Sequence, residues 1–122
     1  MKPLPEQPHI VHCVERMTTS PTNSVVRTVY RNRLRFPNGW SVSWIAGLTN
    51  LDASAGVYCE PLAQETKNYG GGDMHRAVFA NVEVAVLNQQ DDLVEFQSGD
   101  TVKGQCSPTE LLEILNWAAA QK

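Results

Sequence analysis

The chain predicts a small α+β domain, an antiparallel β-meander of about four to six strands with one C-terminal helix packed on its apolar face. Three observations predict it. From Val25 to Phe36 β-forming residues alternate with arginine, the period of a strand with one wet face. The next stretch, "PNGWSVSW", opens with turn residues and returns to alternation. Residues 107–122, "SPTELLEILNWAAAQK", then begin with Ser107, Pro108 and Glu110 in the spacing of a capping box with proline at the first helical position.

In chain order, residues 1–8 read as an extended tail, because Pro3, Pro5 and Pro8 prevent regular pairing. Residues 9–122 read as one domain. "HIVHCVERM" (9–17) suits a strand, and "TTSPTNS" (18–24) is loop chemistry. The turn after Phe36 sets the register of the first hairpin. A two-residue Asn38-Gly39 loop would pair Leu34 with Ser43 and mix serines among apolar groups. A three-residue loop, Pro37 to Gly39, pairs Phe36 with Trp40, Leu34 with Val42 and Asn32 with Trp44. That choice gathers the large side chains on one face, and a one-residue slip would send them all into water. The three-residue loop is therefore predicted, with Gly39 at positive φ.

Residues 47–56 read as a connection, and "VYCEPLAQ" (57–64) as a short strand that Pro61 confines to an edge. "ETKNYGGGDMHR" (65–76) reads as the most flexible stretch. "VEVAVLNQQDDLVEF" (82–96) suits a second hairpin with a loop of about five residues, Val84 facing Phe96 and Val86 facing Val94. Glu83 and Glu95 would then lie on the opposite face. "TVKGQC" (101–106) suits a further strand. On the helix, Leu111, Leu112, Ile114, Leu115, Ala118 and Ala119 share one wide face that should close the core.

The 122 residues suffice for one core and are too few for two domains. No apolar run reaches the ~20 residues of a membrane helix, and "MKPLPEQPHIVH" is unlike a signal peptide, so a cytoplasmic protein with no membrane partner is expected. Three dispersed cysteines, Cys13, Cys59 and Cys106, fit buried thiols better than a disulfide framework. Net charge is −3, unevenly spread: residues 1–40 carry six Lys/Arg against Glu6 and Glu15, whereas residues 41–122 carry four basic and eleven acidic groups. A pI near 5.5 argues against general nucleic-acid binding.

Four groupings are candidates for function. Arg27, Arg31, Arg33 and Arg35 fall on the outer face with Ser41 and Ser43 beside them, a surface of guanidinium forks and hydroxyls suited to phosphate, a nucleotide or an acidic protein. The bland alternative is a solvated face on which Glu83 and Glu95 neutralise the arginines. Gly70, Gly71 and Gly72, followed by Asp73, His75 and Arg76, offer backbone N–H groups and side chains to an anion, although the spacing is that of neither a P-loop nor a dinucleotide fingerprint. Trp117 falls in the polar arc of the helix and is a candidate oligomer or partner contact. Finally Cys59, His75 and Glu60 or Asp73 contain the residue types of a nucleophilic hydrolase, with no spacing that unites them. His9, His12, Cys13, Cys59, Asp73, His75 and Cys106 lack the paired spacing of a zinc site, so no metal and no cofactor is expected.

The order "RFPNGWSVS", "VEVAVLNQQDDLVEF", "SPTELLEIL" resembles small accessory proteins encoded by tailed bacteriophages, over roughly residues 33–117. The resemblance implies a compact protein of the infected cell's cytoplasm, in a group without an established activity. Such proteins often mask host factors or sequester signalling nucleotides. No catalytic residue is carried across by it. The expectation is a non-enzymatic, homo-oligomeric binder of a host protein or small anionic, nucleotide-like ligand, of counter-defence type. A small hydrolase or nucleotide-processing enzyme, or a structural subunit of a larger assembly, are the alternatives.

Overall fold

The computed structural model of the chain describes residues 8–19, 26–49, 56–68, 73–96 and 99–122, with residues 9–19, 26–28, 63–68 and 73–77 described by their backbone. Among the described residues seven strands precede one helix: β1 (His9–Thr19), β2 (Val26–Arg35), β3 (Ser41–Thr49), β4 (Pro61–Asn68), β5 (Asp73–Phe79), β6 (Val82–Leu87), β7 (Val102–Cys106) and α1 (Pro108–Ala119). Five strands form one antiparallel sheet in the order β1-β2-β3-β6-β7, and β4 and β5 pair as a separate ribbon. The meander is thus interrupted once, between β3 and β6. Among the described residues no helix is long and apolar enough to cross a membrane.

The first hairpin takes the predicted register. Leu34 faces Val42 and Asn32 faces Trp44, the Phe36 N–H donates to the Trp40 carbonyl at 2.8 Å, and Gly39 sits at φ 89°. Asn38 does two jobs at this turn. Its side-chain oxygen accepts from the Trp40 N–H at 2.9 Å. Its amide nitrogen donates to the carbonyls of Ala118 at 2.9 Å and Gln121 at 2.7 Å, at the far end of α1.

The capping box is also present: the Ser107 hydroxyl accepts from the Glu110 N–H, and the Glu110 carboxylate accepts from the Ser107 N–H. The helix lies on the face holding Phe36, Val42, Val84 and Val86, where Ile114 and Ala118 complete a buried cluster with Cys106. Leu111 and Leu115 pack against its margin. The apolar face is narrower than predicted, because Leu112 and Ala119 are exposed. They fall one position beyond the i, i+3, i+4, i+7 stripe of Leu111, Ile114, Leu115 and Ala118, and so swing out past the sheet.

Four further expectations are corrected. Residues 47–56 are not wholly a connection, since Gly47–Thr49 continue β3 opposite Val29, Thr28 and Arg27. Likewise Thr18 and Thr19 extend β1 rather than the following loop. The stretch 65–76 is strand at both ends, Glu65 facing Arg76 and Thr66 facing His75, with a register shift beside Pro61. The second hairpin begins in the predicted register, with a Leu87–Leu93 bridge and the Val94 N–H on the Val86 carbonyl at 2.9 Å. It goes no further. β7 takes the place beside β6, pairing Val82 with Cys106, Val84 with Lys103 and Ala85 with Val102.

Burial explains why β7 wins that edge. Cys106 is fully buried in the main cluster, and the Gln105 N–H donates to the Tyr58 carbonyl at 2.8 Å, tying β7 to residues 56–60. Gly104 permits this approach, for a Cβ there would lie 2.6 Å from Tyr58 Cβ. A smaller cluster of Ala46, Val57 and Cys59, with Phe79 packed against it, seats the base of the ribbon on the sheet.

Candidate functional site

Alternation along β2 and β3 sends the guanidiniums of Arg31, Arg33 and Arg35 to the face opposite the helix, as predicted for these three. That face is not flat. Arg31, Arg33, Ser43, Ile45, Glu83, Ala85, Leu87, Leu93 and Val102 line a trough of about 320 Å³. Its floor comes from neighbouring register positions: Arg33, Ser43 and Ala85 run across three strands, as do Arg31, Ile45 and Glu83. One wall rises where the chain leaves β6, because the loop Asn88–Asp92 returns Leu93 to Leu87. The loop is built by Asn88, whose side chain accepts from the N–H groups of Gln90 and Asp92.

The same loop supplies the acid. Asp91, at φ 62°, brings Oδ1 to Arg33 Nη2 and Arg35 Nη2, the latter at 3.0 Å. Aspartate tolerates this left-handed backbone better than most residues. Arg33 is fixed from a second side by donating Nε–H to the Ser41 hydroxyl at 2.9 Å. For Arg33 and Arg35 the neutralising group is therefore Asp91, not the Glu83 and Glu95 of the solvated-face alternative. Glu95 is instead occupied locally, accepting from the Gly99 N–H at 2.6 Å.

The predicted site residues do not form one site. Arg31, Arg33 and Ser43 meet in the trough. Arg31 is exposed, and among the described residues its guanidinium has no hydrogen-bond or ion-pair partner. Ser41 is fully buried and serves Arg33, so it is no ligand contact, while Arg35 is committed to Asp91 with its Nε–H buried and unpaired. The side chain of Arg27 lies outside the described residues.

The triple glycine, Gly70 to Gly72, also lies outside them. Asp73, His75 and Arg76 occupy register positions on β5 opposite Asn68, Thr66 and Glu65. Nothing places them at the trough. Cys59 is a poor nucleophile where it sits. Its thiol is buried, bonded to the Gly47 N–H at 3.4 Å and the Gly47 carbonyl at 3.5 Å. Burial pushes its pKa up, and Glu83 adds to that. A buried thiol kept protonated is structural rather than reactive. Cys106 is held up in the same way, first by burial and then by Glu110. Among the described residues no three His, Cys, Asp or Glu side chains converge to hold a metal ion.

Trp117 is 39% exposed. It packs edge to face on Trp40, with ring centroids 5.7 Å apart and planes at 85°. Sequence reading missed both Asp91 and the apolar wall of Leu87, Leu93 and Val102. The acidic turn "NQQDD" signalled a loop, but nothing in it marked which carboxylate folds back onto the arginines. No family model, curated protein or solved structure matches this chain.

Proposed function

We propose that the protein is a non-enzymatic binding module whose trough takes a small anion with an apolar body, of nucleoside monophosphate size. One observation carries the reading: Arg31, exposed and without a partner among the described residues, lines a depression whose walls also include Leu87, Leu93 and Val102. A volume of about 320 Å³ falls at the lower end of the roughly 300–1,000 Å³ of small-molecule sites. In this reading Arg31 meets the anion first, Ser43 donates its hydroxyl, and the apolar walls cover a planar group. Arg33 joins when the anion replaces Asp91, because a guanidinium fork pairs with either carboxylate or phosphate oxygens.

A cytoplasmic role in masking a signalling nucleotide, as the likeness to phage accessory proteins implies, belongs to the same proposal. A protein partner is the second reading, favoured by the exposure of Leu93 and Val102 on the trough's rim. A hydrolase reading loses its nucleophile with Cys59.

Calorimetric titration of the full chain with inorganic phosphate and with nucleoside monophosphates tests the proposal. Saturable binding of a monophosphate, abolished by Arg31→Glu with the melting temperature unchanged, is expected. Equal binding by Arg31→Glu would remove the trough as the site, and no binding by any of these anions would remove the ligand class.

A further inference from the structure

A second cleft opens on the other side of the sheet, between α1 and the segment that carries Phe96. We propose that it binds a single alkylammonium group of the trimethylammonium type. The site is independent of the trough and of the function proposed for it. Its walls are Phe96, Glu113, Ile114 and Trp117, enclosing about 170 Å³. That space is well below what a drug-sized ligand fills and suits one compact headgroup.

The chemistry of the walls selects a cation. The faces of indole and phenyl rings carry negative quadrupolar potential, and tryptophan attracts cations best. Among the described residues of the lining, Glu113 carries the only formal charge, and it is negative. Among the described residues its carboxylate has no hydrogen-bond or ion-pair partner. An anion would meet repulsion from Glu113 and from the face of either ring.

The same walls select methylation. A lysine ammonium carries three N–H donors and loses strong hydration when it is enclosed. The cleft answers with a single carboxylate. A trimethylammonium has no N–H donors to leave unsatisfied, and its methyl groups pack against rings and Ile114. The site is also set before binding. The indole of Trp117 is held by its edge-to-face contact with Trp40 at 5.7 Å, and Phe96 and Ile114 belong to the packed core and its margin. Little side-chain freedom is therefore lost on binding.

The probe is choline chloride, titrated into the full chain at constant ionic strength and followed by the indole N–H signals in a ¹H–¹⁵N spectrum. The control is 3,3-dimethylbutan-1-ol, which has the same shape with carbon in place of nitrogen and no charge. We expect a saturable shift of the Trp117 signal, with choline favoured over the alcohol by about tenfold, a ratio within reach of cation–π attraction at a partly desolvated site. Glu113→Gln, a change at an exposed position, should weaken choline binding several-fold with the melting temperature unchanged. Equal responses to choline and the alcohol, or no saturable response to choline, would overturn the proposal. So would concentration-dependent broadening of Trp117 without added choline, because that marks a second copy of the chain as the occupant.

Discussion

The side-chain amide of Asn38 donates to the main-chain carbonyl of Gln121 at 2.7 Å, across 83 positions of sequence. It reaches the Ala118 carbonyl as well. The helix has no basic residue in its last turn and ends on Ala120 in right-handed backbone, so it lacks the glycine cap that usually closes a C-terminus. The tip of the first hairpin supplies that cap. Asn38→Ala should therefore destabilise the protein by about 1–3 kcal/mol, since it strands partly buried acceptors and the Trp40 N–H. Urea unfolding with an unchanged m-value would report it. A loss below ~0.5 kcal/mol would mean that water caps the helix equally well.

Gly104 and Tyr58 are so close that a methyl group at position 104 collides with Tyr58 Cβ. Gly104→Ala should cost more than ~1 kcal/mol through displacement of residues 56–60 from β7. Trimming the tyrosine ring cannot relieve a clash with its Cβ. Gly104→Ala should thus cost clearly less in a Tyr58→Gly background than in the wild type, and a double-mutant cycle measures the difference. Additive effects would show that the two segments do not need to touch.

The narrowed apolar face of α1 gives a paired expectation. Ile114→Ala removes a buried side chain from the main cluster and should cost about 2–5 kcal/mol. Leu112→Ala, at a position 61% exposed, should change stability by no more than ~0.5 kcal/mol. Thermal or denaturant unfolding separates them. Equal costs would place the helix in a different rotation on the sheet.

Glu110 carries the acid sensitivity of the helix N-terminus. Its pKa is held down from 4.5 to about 2, chiefly by Lys103 and then by the N–H and hydroxyl of Ser107. A lowered folded-state pKa gives stability that is fully present above the unfolded value and disappears as pH falls through the folded one. Stability should accordingly decline as pH drops from about 4.5 to 2, and Glu110→Gln should remove that part of the slope. Unfolding curves across that range check it, and an unchanged slope in the variant would assign the sensitivity to other carboxylates.

Asp91 competes with any anion for Arg33. Asp91→Asn should alter stability by no more than ~1 kcal/mol, because exposed ion pairs contribute little. It should also raise the affinity of the trough for nucleoside monophosphates several-fold and steepen its dependence on salt. Titrations at two ionic strengths test this, and weaker binding in the variant would show that Asp91 holds the arginines in place for the ligand.

What the sequence disclosed is what short-range chemistry decides. Pro37, Asn38 and Gly39 fix their own turn, and parity along two strands then carries the guanidiniums to one face and the rings to the other. Ser107, Pro108 and Glu110 settle the helix start within four positions. The competition for the free side of β6 could not be judged that way, because residues 94–96 and 102–106 both alternate acceptably there. It is settled by Cys106 reaching the core and by Tyr58 meeting β7, contacts that only the folded chain makes. The glycine-rich, polar composition of 65–76 hid a ribbon whose pairing rests on register rather than on apolar pattern. In the trough, arginine placement was legible, but the curvature that makes a concavity and the return of Asp91 across 58 positions were not.

The placement of α1 after every strand has a consequence for synthesis. Each strand leaves the ribosome before the one element that roofs Phe36, Val42, Val84 and Val86, and the hairpin tip waits for a helix end not yet made. For that interval the nascent sheet presents a bare greasy surface, the kind on which chains associate wrongly. Translation speed over the last codons of the domain, and the chaperones that cover exposed sheet during that pause, should therefore govern how much of this protein reaches its native form.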